Sequence, residues 1–188
     1  MKILFISSLN EKEGRLNDFM HDIVLHGLRE IYGGSVIDYP GVWYMYRDEV
    51  KKRNYDINNL WGKGFTLYNL LSNYQQIDRT DIEKKIKTNY FDFIIFGAIH
   101  KTQFFFNEAI NSKSKIIFVD GSDHPFINEQ ITNKGVYFKR ELISDNIKNV
   151  YPINFAIPKE KIIHTINPKP LNVLASLTPG KYSSYVYK

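Results

Sequence analysis

Two kinds of stretch alternate along the chain: short unbroken apolar runs that end in small polar residues, and segments whose apolar residues recur every three or four positions. Ile3 to Ile6 is the first run, closed by Ser7 and Ser8, and a continuous run of that length predicts a strand buried on both faces. Leu16, Phe19, Met20, Ile23, Val24, Gly27, Leu28 and Ile31 follow at helical spacing, forming one stripe that can lie on a sheet. Asn17 and Asp18 stand near the start of this helix, and Gly33 and Gly34 end it by accepting positive φ. Val36 and Ile37 begin a second strand, so the first forty residues predict a βαβ unit, whose crossover is almost always right-handed.

From Tyr39 to about Leu60 the periodicity lapses into the aromatic and charged segment Trp43 to Arg47, which predicts a long loop packed by its own aromatics, a ligand platform being the alternative. Thr80 and Glu83 have the spacing of a capping box, and Ile82 and Ile86 share a face, predicting a helix over Thr80 to Thr88. Phe91 to Gly97 and Lys115 to Gly121 are two further apolar runs closed by glycine, with a helix expected over Thr102 to Asn111 between them. Val136 to Phe138 is another short strand, and Tyr151 to Ile157 an extended stretch bounded by Pro152 and Pro158. The expected fold is therefore α/β: a Rossmann-like, doubly wound, mostly parallel sheet with helices on both faces. It occupies residues 1–166, with Asn167 to Pro170 a linker and residues 167–188 the linker and first strand of a truncated second domain, from Leu171 to Leu177.

Composition narrows the function classes. With 43% hydrophobic and 15% aromatic residues the chain of 188 residues lies far from disordered compositions. It has no cysteine, which excludes disulfides, thiolate metal sites and cysteine nucleophiles. The N-terminus lacks the long apolar core of a signal peptide and no window could span a bilayer, so no integral membrane segment and a cytoplasmic location are expected. A net charge of +5 invites nucleic acid as a partner. Only six of the 25 basic residues are arginine, however, and acids lie between the scattered lysines, so no nucleic-acid partner is expected.

In open parallel sheets ligands bind beyond the carboxyl ends of the strands. The candidate substrate-binding residues are accordingly Ser7, Ser8 and Asn10 after the first strand, Gly97 after the third, and Lys139 and Arg140 after the fifth. Candidate catalytic groups are His100, Asp120, Asp123 and His124, two carboxylates and an imidazole on one short segment plus a second imidazole on the same rim. The cluster Asp120 to His124 has an equally simple structural reading, as a turn in which Asp123 starts the next helix. His21 and His26, five apart, share no helix face and are expected at the surface or its boundary, with no metal between them. There is no Walker A pattern, no dinucleotide fingerprint after the first strand, no H-E-x-x-H and no nucleophile elbow, and Gly62 to Gly64 is too short for a phosphate loop.

Taken together, Met1 to Ile6, Phe91 to Gly97, Lys115 to Pro125 with its FVDGSD strand end, and Gly135 to Leu142 with its YFKREL strand resemble the N-terminal half of GT-B type glycosyltransferases. The likeness is to poorly characterised bacterial and viral members, and Leu171 to Tyr187, with Thr178 to Tyr182, looks like the start of their second Rossmann-like domain. The resemblance implies that a carbohydrate or other hydroxyl acceptor binds this domain, that a nucleotide sugar binds mainly a missing C-terminal domain, and that no cofactor is tightly held. It implies further that Asp120, Asp123 and His124 face the cleft, one of them or His100 deprotonating the acceptor, and that this stretch alone is inactive. A noncatalytic α/β binding or scaffolding domain is the alternative. A flavodoxin-like or response-regulator-like domain fits less well, because the first strand ends in serines and the third in Gly97 instead of acidic residues.

Overall fold

The computed structural model describes residues 1–9, 19–56, 67–143 and 146–162. Among these residues six strands form one sheet: β1 (Ile3–Ile6), β2 (Val36–Tyr39), β3 (Phe93–Phe96), β4 (Lys115–Asp120), β5 (Val136–Lys139) and β6 (Val150–Pro152). Their spatial order is β2-β1-β3-β4-β5-β6 and every pair is parallel. The chain leaves β1 first toward β2 and later returns on the other side with β3, which puts the reversal of winding, where α/β sheets open a crevice, at the carboxyl ends of β1 and β3. The unit so formed spans Met1–Pro158; of the second unit, Lys159–Lys188, a single 3-10 turn at Lys159–Lys161 is described, and the expected strand at Leu171 lies outside the described residues.

Alternation along the strands divides the core in two. Ile3, Phe5, Ile95 and Val119 face one layer together with Met20, Ile23 and Leu25 of α1 (Phe19–Tyr32). Leu4, Ile6, Ile94, Phe96, Ile116 and Phe118 face the other, together with Ile82 and Ile86 of α3 (Ile82–Lys87) and Ala109 of α4 (Phe106–Ile110). Helices thus cover both faces, and the doubly wound α/β class is the observed one. Gly33 adopts φ +53 at the end of α1, the stop its sequence position predicts.

Four local expectations are corrected. The segment from Trp43 is not the long loop expected: a 3-10 turn at Trp43–Met45 leads into α2 (Arg47–Arg53), and Trp43, Tyr44, Met45 and Tyr46 are all buried in the α1 layer. This second covering buries the polar side of α1 as well, so His21, Asp22 and His26 are interior while Ile31 is exposed. Interior placement of Asp22 is supported by Tyr44, whose hydroxyl donates to both carboxylate oxygens at 2.7 and 2.9 Å, and His21 Nδ1 lies 3.0 Å from Asp22 Oδ1. The capping box does not form: the Thr80 hydroxyl donates to Asp78 at 2.6 Å, Asp81 begins α3 at φ 48, and Glu83 pairs with Lys87. Lastly, α4 is shorter than expected because Phe105 takes φ 55, and no helix is described between β4 and β5 after Asp123.

Candidate active site

The parallel register sets Asp120 against Lys139 and Phe118 against Tyr137. Residues two apart in a strand share a face, so Asp120, Tyr137 and Lys139 converge at the carboxyl edge of the sheet. The Tyr137 hydroxyl donates to Asp120 Oδ2 at 2.6 Å, and Lys139 Nζ stands 3.3 Å from Asp120 Oδ1. The chain then turns back on this carboxylate, the Ser122 amide donating to Oδ1 at 3.0 Å. A fourth partner comes from the loop after β3, where the amides of Lys101 and Thr102 bond Ala98 and hold a tight turn. This turn brings His100 Nδ1 to 3.2 Å from Asp120 Oδ1.

Burial opposes ionisation of Asp120, but the hydrogen bonds from His100, Tyr137 and Ser122 outweigh it and hold the carboxyl well below the usual carboxylate range. Tyr137 moves the other way: burial, then its bond to Asp120, pushes the phenol far above its ordinary value and keeps it a donor. A carboxylate that accepts a hydrogen bond from Nδ1–H of a neutral histidine favours the tautomer whose lone pair is on Nε2. Asp120 is therefore the ionised anchor of the pair.

His100 and Ser122 line a cavity of about 500 Å³ with Lys101, Gly121, Asp123, His124, Arg140, Phe19, Met20 and Phe155. One wall is apolar: Phe19 and Phe155 meet edge to face at 5.6 Å, and the Arg140 guanidinium lies 4.9 Å above the Phe155 ring. Arg140 also pairs with Asp123 and, at 3.0 Å, with Glu141. The rim thus offers a ring-sized apolar surface beside a guanidinium–carboxylate pair and a histidine backed by a buried carboxylate.

The sequence-predicted residues fall into three groups. His100, Asp123, His124 and Arg140 line the cavity, and Asp120 and Lys139 support it from behind. Ser7 and Gly97 are interior: the Ser7 hydroxyl accepts from the Leu9 amide at 3.0 Å, and a Cβ on Gly97 would collide with the Phe5 ring and lie 2.6 Å from His21 Cδ2. Ser8 is half-buried beyond β1, and Asn10 lies outside the described residues. Lys101, Phe19, Met20 and Phe155 were not anticipated, nor was Tyr137 as a partner of Asp120. Tyr137 was within reach of the strand rule, standing two residues before Lys139; Phe155 was hidden because its stretch, interrupted by Pro152, shows no strand period.

Among the described residues no helix is long and apolar enough to cross a membrane. No protein-family model, no curated protein and no solved structure matches this chain.

Proposed function

We propose that this domain forms the acceptor-side wall of a glycosyl-transfer cleft, binding a carbohydrate or other hydroxyl acceptor against Phe155 and Phe19, with His100 as general base. The observation that carries this reading is the contact of His100 Nδ1 with the buried Asp120 at 3.2 Å, on the wall of a cavity at the carboxyl edge of a parallel sheet. In the step proposed, the acceptor hydroxyl gives its proton to His100 Nε2 while its oxygen attacks the anomeric carbon of the donor, and the nucleotide leaves with the bonding electrons. Asp120 offsets the charge that develops on the imidazolium. The nucleotide sugar belongs, on this reading, to a C-terminal domain.

A noncatalytic α/β binding domain is the second reading, and it is favoured by Tyr137, Lys139 and the Ser122 amide, which would tie the β4–β5 edge together with or without chemistry at His100. Titrating the protein with neutral monosaccharides, disaccharides and polyols, and separately with nucleotide sugars, tests the division of labour. The proposal predicts shifts of the His100, Ser122 and Arg140 resonances with at least one neutral hydroxyl compound and only weak binding of nucleotide sugars. Tight binding of a nucleotide sugar to this chain, with no response to any hydroxyl compound, would overturn it.

A further inference from the structure

The outer strands of the sheet are β2 and β6, and an outer strand presents backbone groups to which a further strand can pair. Which groups those are follows from the inner bonds, because successive residues of a strand point their N–H and C=O to opposite sides. Tyr39 O accepts from the Ser7 amide of the β1 side at 2.8 Å, so Val36 and Asp38 direct theirs outward. Both outward carbonyls are occupied: Arg29 Nη1 donates to Val36 O at 3.0 Å, and Arg79 Nε donates to Asp38 O at 2.8 Å. The Val36 amide bonds Gly33 O. The two guanidinium carbons lie 5.8 and 5.7 Å from the centre of the Tyr46 ring, and Val36 and Asp38 are fully buried. At β6, Asn149 O accepts from the Tyr137 amide at 2.8 Å and the Ile153 amide donates to Lys139 O at 3.1 Å, so Val150 and Pro152 face outward. The Val150 amide turns back to Ile147 O at 3.1 Å, and Pro152 has no N–H.

A strand added to β2 would find its acceptors taken, and one added to β6 would find no donor. Pairing β2 of one copy with β6 of another leaves at most the Asp38 amide to bond a β6 carbonyl, and that head-to-tail contact is the kind that runs on into filaments. We infer that Arg29 and Arg79 at one edge and Pro152 at the other close the sheet to strand addition, so that neither a second copy nor an extended peptide joins this domain by lengthening its sheet. The two edges are closed by opposite means: guanidinium groups fill the acceptors of β2, while β6 lacks donors. A partner of this domain docks instead through side chains, on the rim or on the helices. The inference does not depend on the chemistry proposed for the cavity.

The test opens both edges at once. Arg29→Ala uncovers Val36 O and Pro152→Ala supplies an outward N–H, so the double variant regains both halves of a β2–β6 bond. In sedimentation velocity it is expected to self-associate at a concentration about tenfold or more below any at which the wild type does, the effect of about two hydrogen bonds. The new amide at position 152 should then be protected from hydrogen exchange in the assembled form. Pro152→Ala alone, with the acceptors of β2 still filled, should sediment as the wild type does. A folded double variant that matches the wild type at every concentration would overturn the inference, as would an intermolecular backbone contact of β2 or β6 in the wild type. Should the double variant not fold, scalar couplings across hydrogen bonds in the wild type decide. Couplings from Arg79 Nε to the Asp38 carbonyl carbon and from Arg29 Nη1 to that of Val36 support the assignment, and fast-exchanging guanidinium protons at both arginines refute it.

Discussion

Two buried aspartates at the carboxyl ends of parallel strands are held in nearly the same way and have different surroundings. Asp38, in β2, accepts from the Tyr46 hydroxyl at 3.0 Å, the Val42 amide at 2.8 Å and Arg79 at 2.7 Å. Asp120, at the end of β4, likewise accepts from a tyrosine and a backbone amide and pairs with a cation. At Asp38 every partner is locked in turn: Arg79 also donates to Asp38 O and Tyr74 O, and its guanidinium stacks 4.0 Å above Tyr74. Burial, followed by the nearby Asp38 charge, pushes the Tyr46 phenol far up, so it too remains a fixed donor. Asp120 has one additional partner, His100, whose ring borders a cavity, whereas the cavity beside Asp38 is bordered by Arg79 and by no imidazole. The same physics ties a loop to a sheet at both strand ends, and at Asp120 it also seats an imidazole on the rim of a cavity.

The sharpest way to break this comparison is to remove the Asp38 carboxylate. Asp38→Ala leaves Arg79 and Tyr46 without their buried partner and should destabilise the fold by about 3–5 kcal/mol, measured by denaturant unfolding; a loss under about 1 kcal/mol would deny Asp38 its scaffold role. A smaller effect is expected at Gly97, between the two aspartates in the sheet. Gly97→Ala forces a Cβ against Phe5 and His21 and should cost about 1–3 kcal/mol by overpacking, with a correspondingly lowered thermal midpoint.

The third prediction concerns pH. The folded protein holds Asp120 ionised to lower pH than the unfolded chain, in which an aspartate titrates near about 3.9. Its contribution to stability is therefore complete above that value and is lost as pH falls toward the depressed folded value. Asp120→Asn should flatten the fall in stability below about pH 4, read from unfolding midpoints across an acid series. An unchanged acid slope would show that Asp120 is not preferentially ionised in the fold.

The strands were legible because a parallel sheet buries both faces of its members, so β1, β3 and β4 appear as continuous apolar runs with small residues at their carboxyl ends. What escaped was structure fixed by distant polar partners. In α2 only Val50 is apolar, and its buried Glu49 is held by Arg53 and by Gln75, 26 residues away. The interior position of Asp22 depends on the Tyr44 hydroxyl in the same manner. For the site, strand ends identified the rim on which His100, Asp120, Asp123, His124 and Arg140 stand, but not which carboxylate is buried. That depends on Tyr137 and Lys139 arriving from β5 in register, a relation absent from local spacing.

The central claim is that the Asp120 cluster is a binding and reacting site where the Asp38 cluster is scaffold, and His100→Asn tests it most directly. With thermal unfolding and hydroxyl-compound binding measured on the same samples, the account predicts a midpoint within about 2–4 °C of wild type, the shift of roughly 1 kcal/mol in a domain this size, together with clear loss of binding. A midpoint lowered as far as that of Asp38→Ala, with binding retained, would make His100 another structural tie and contradict the account.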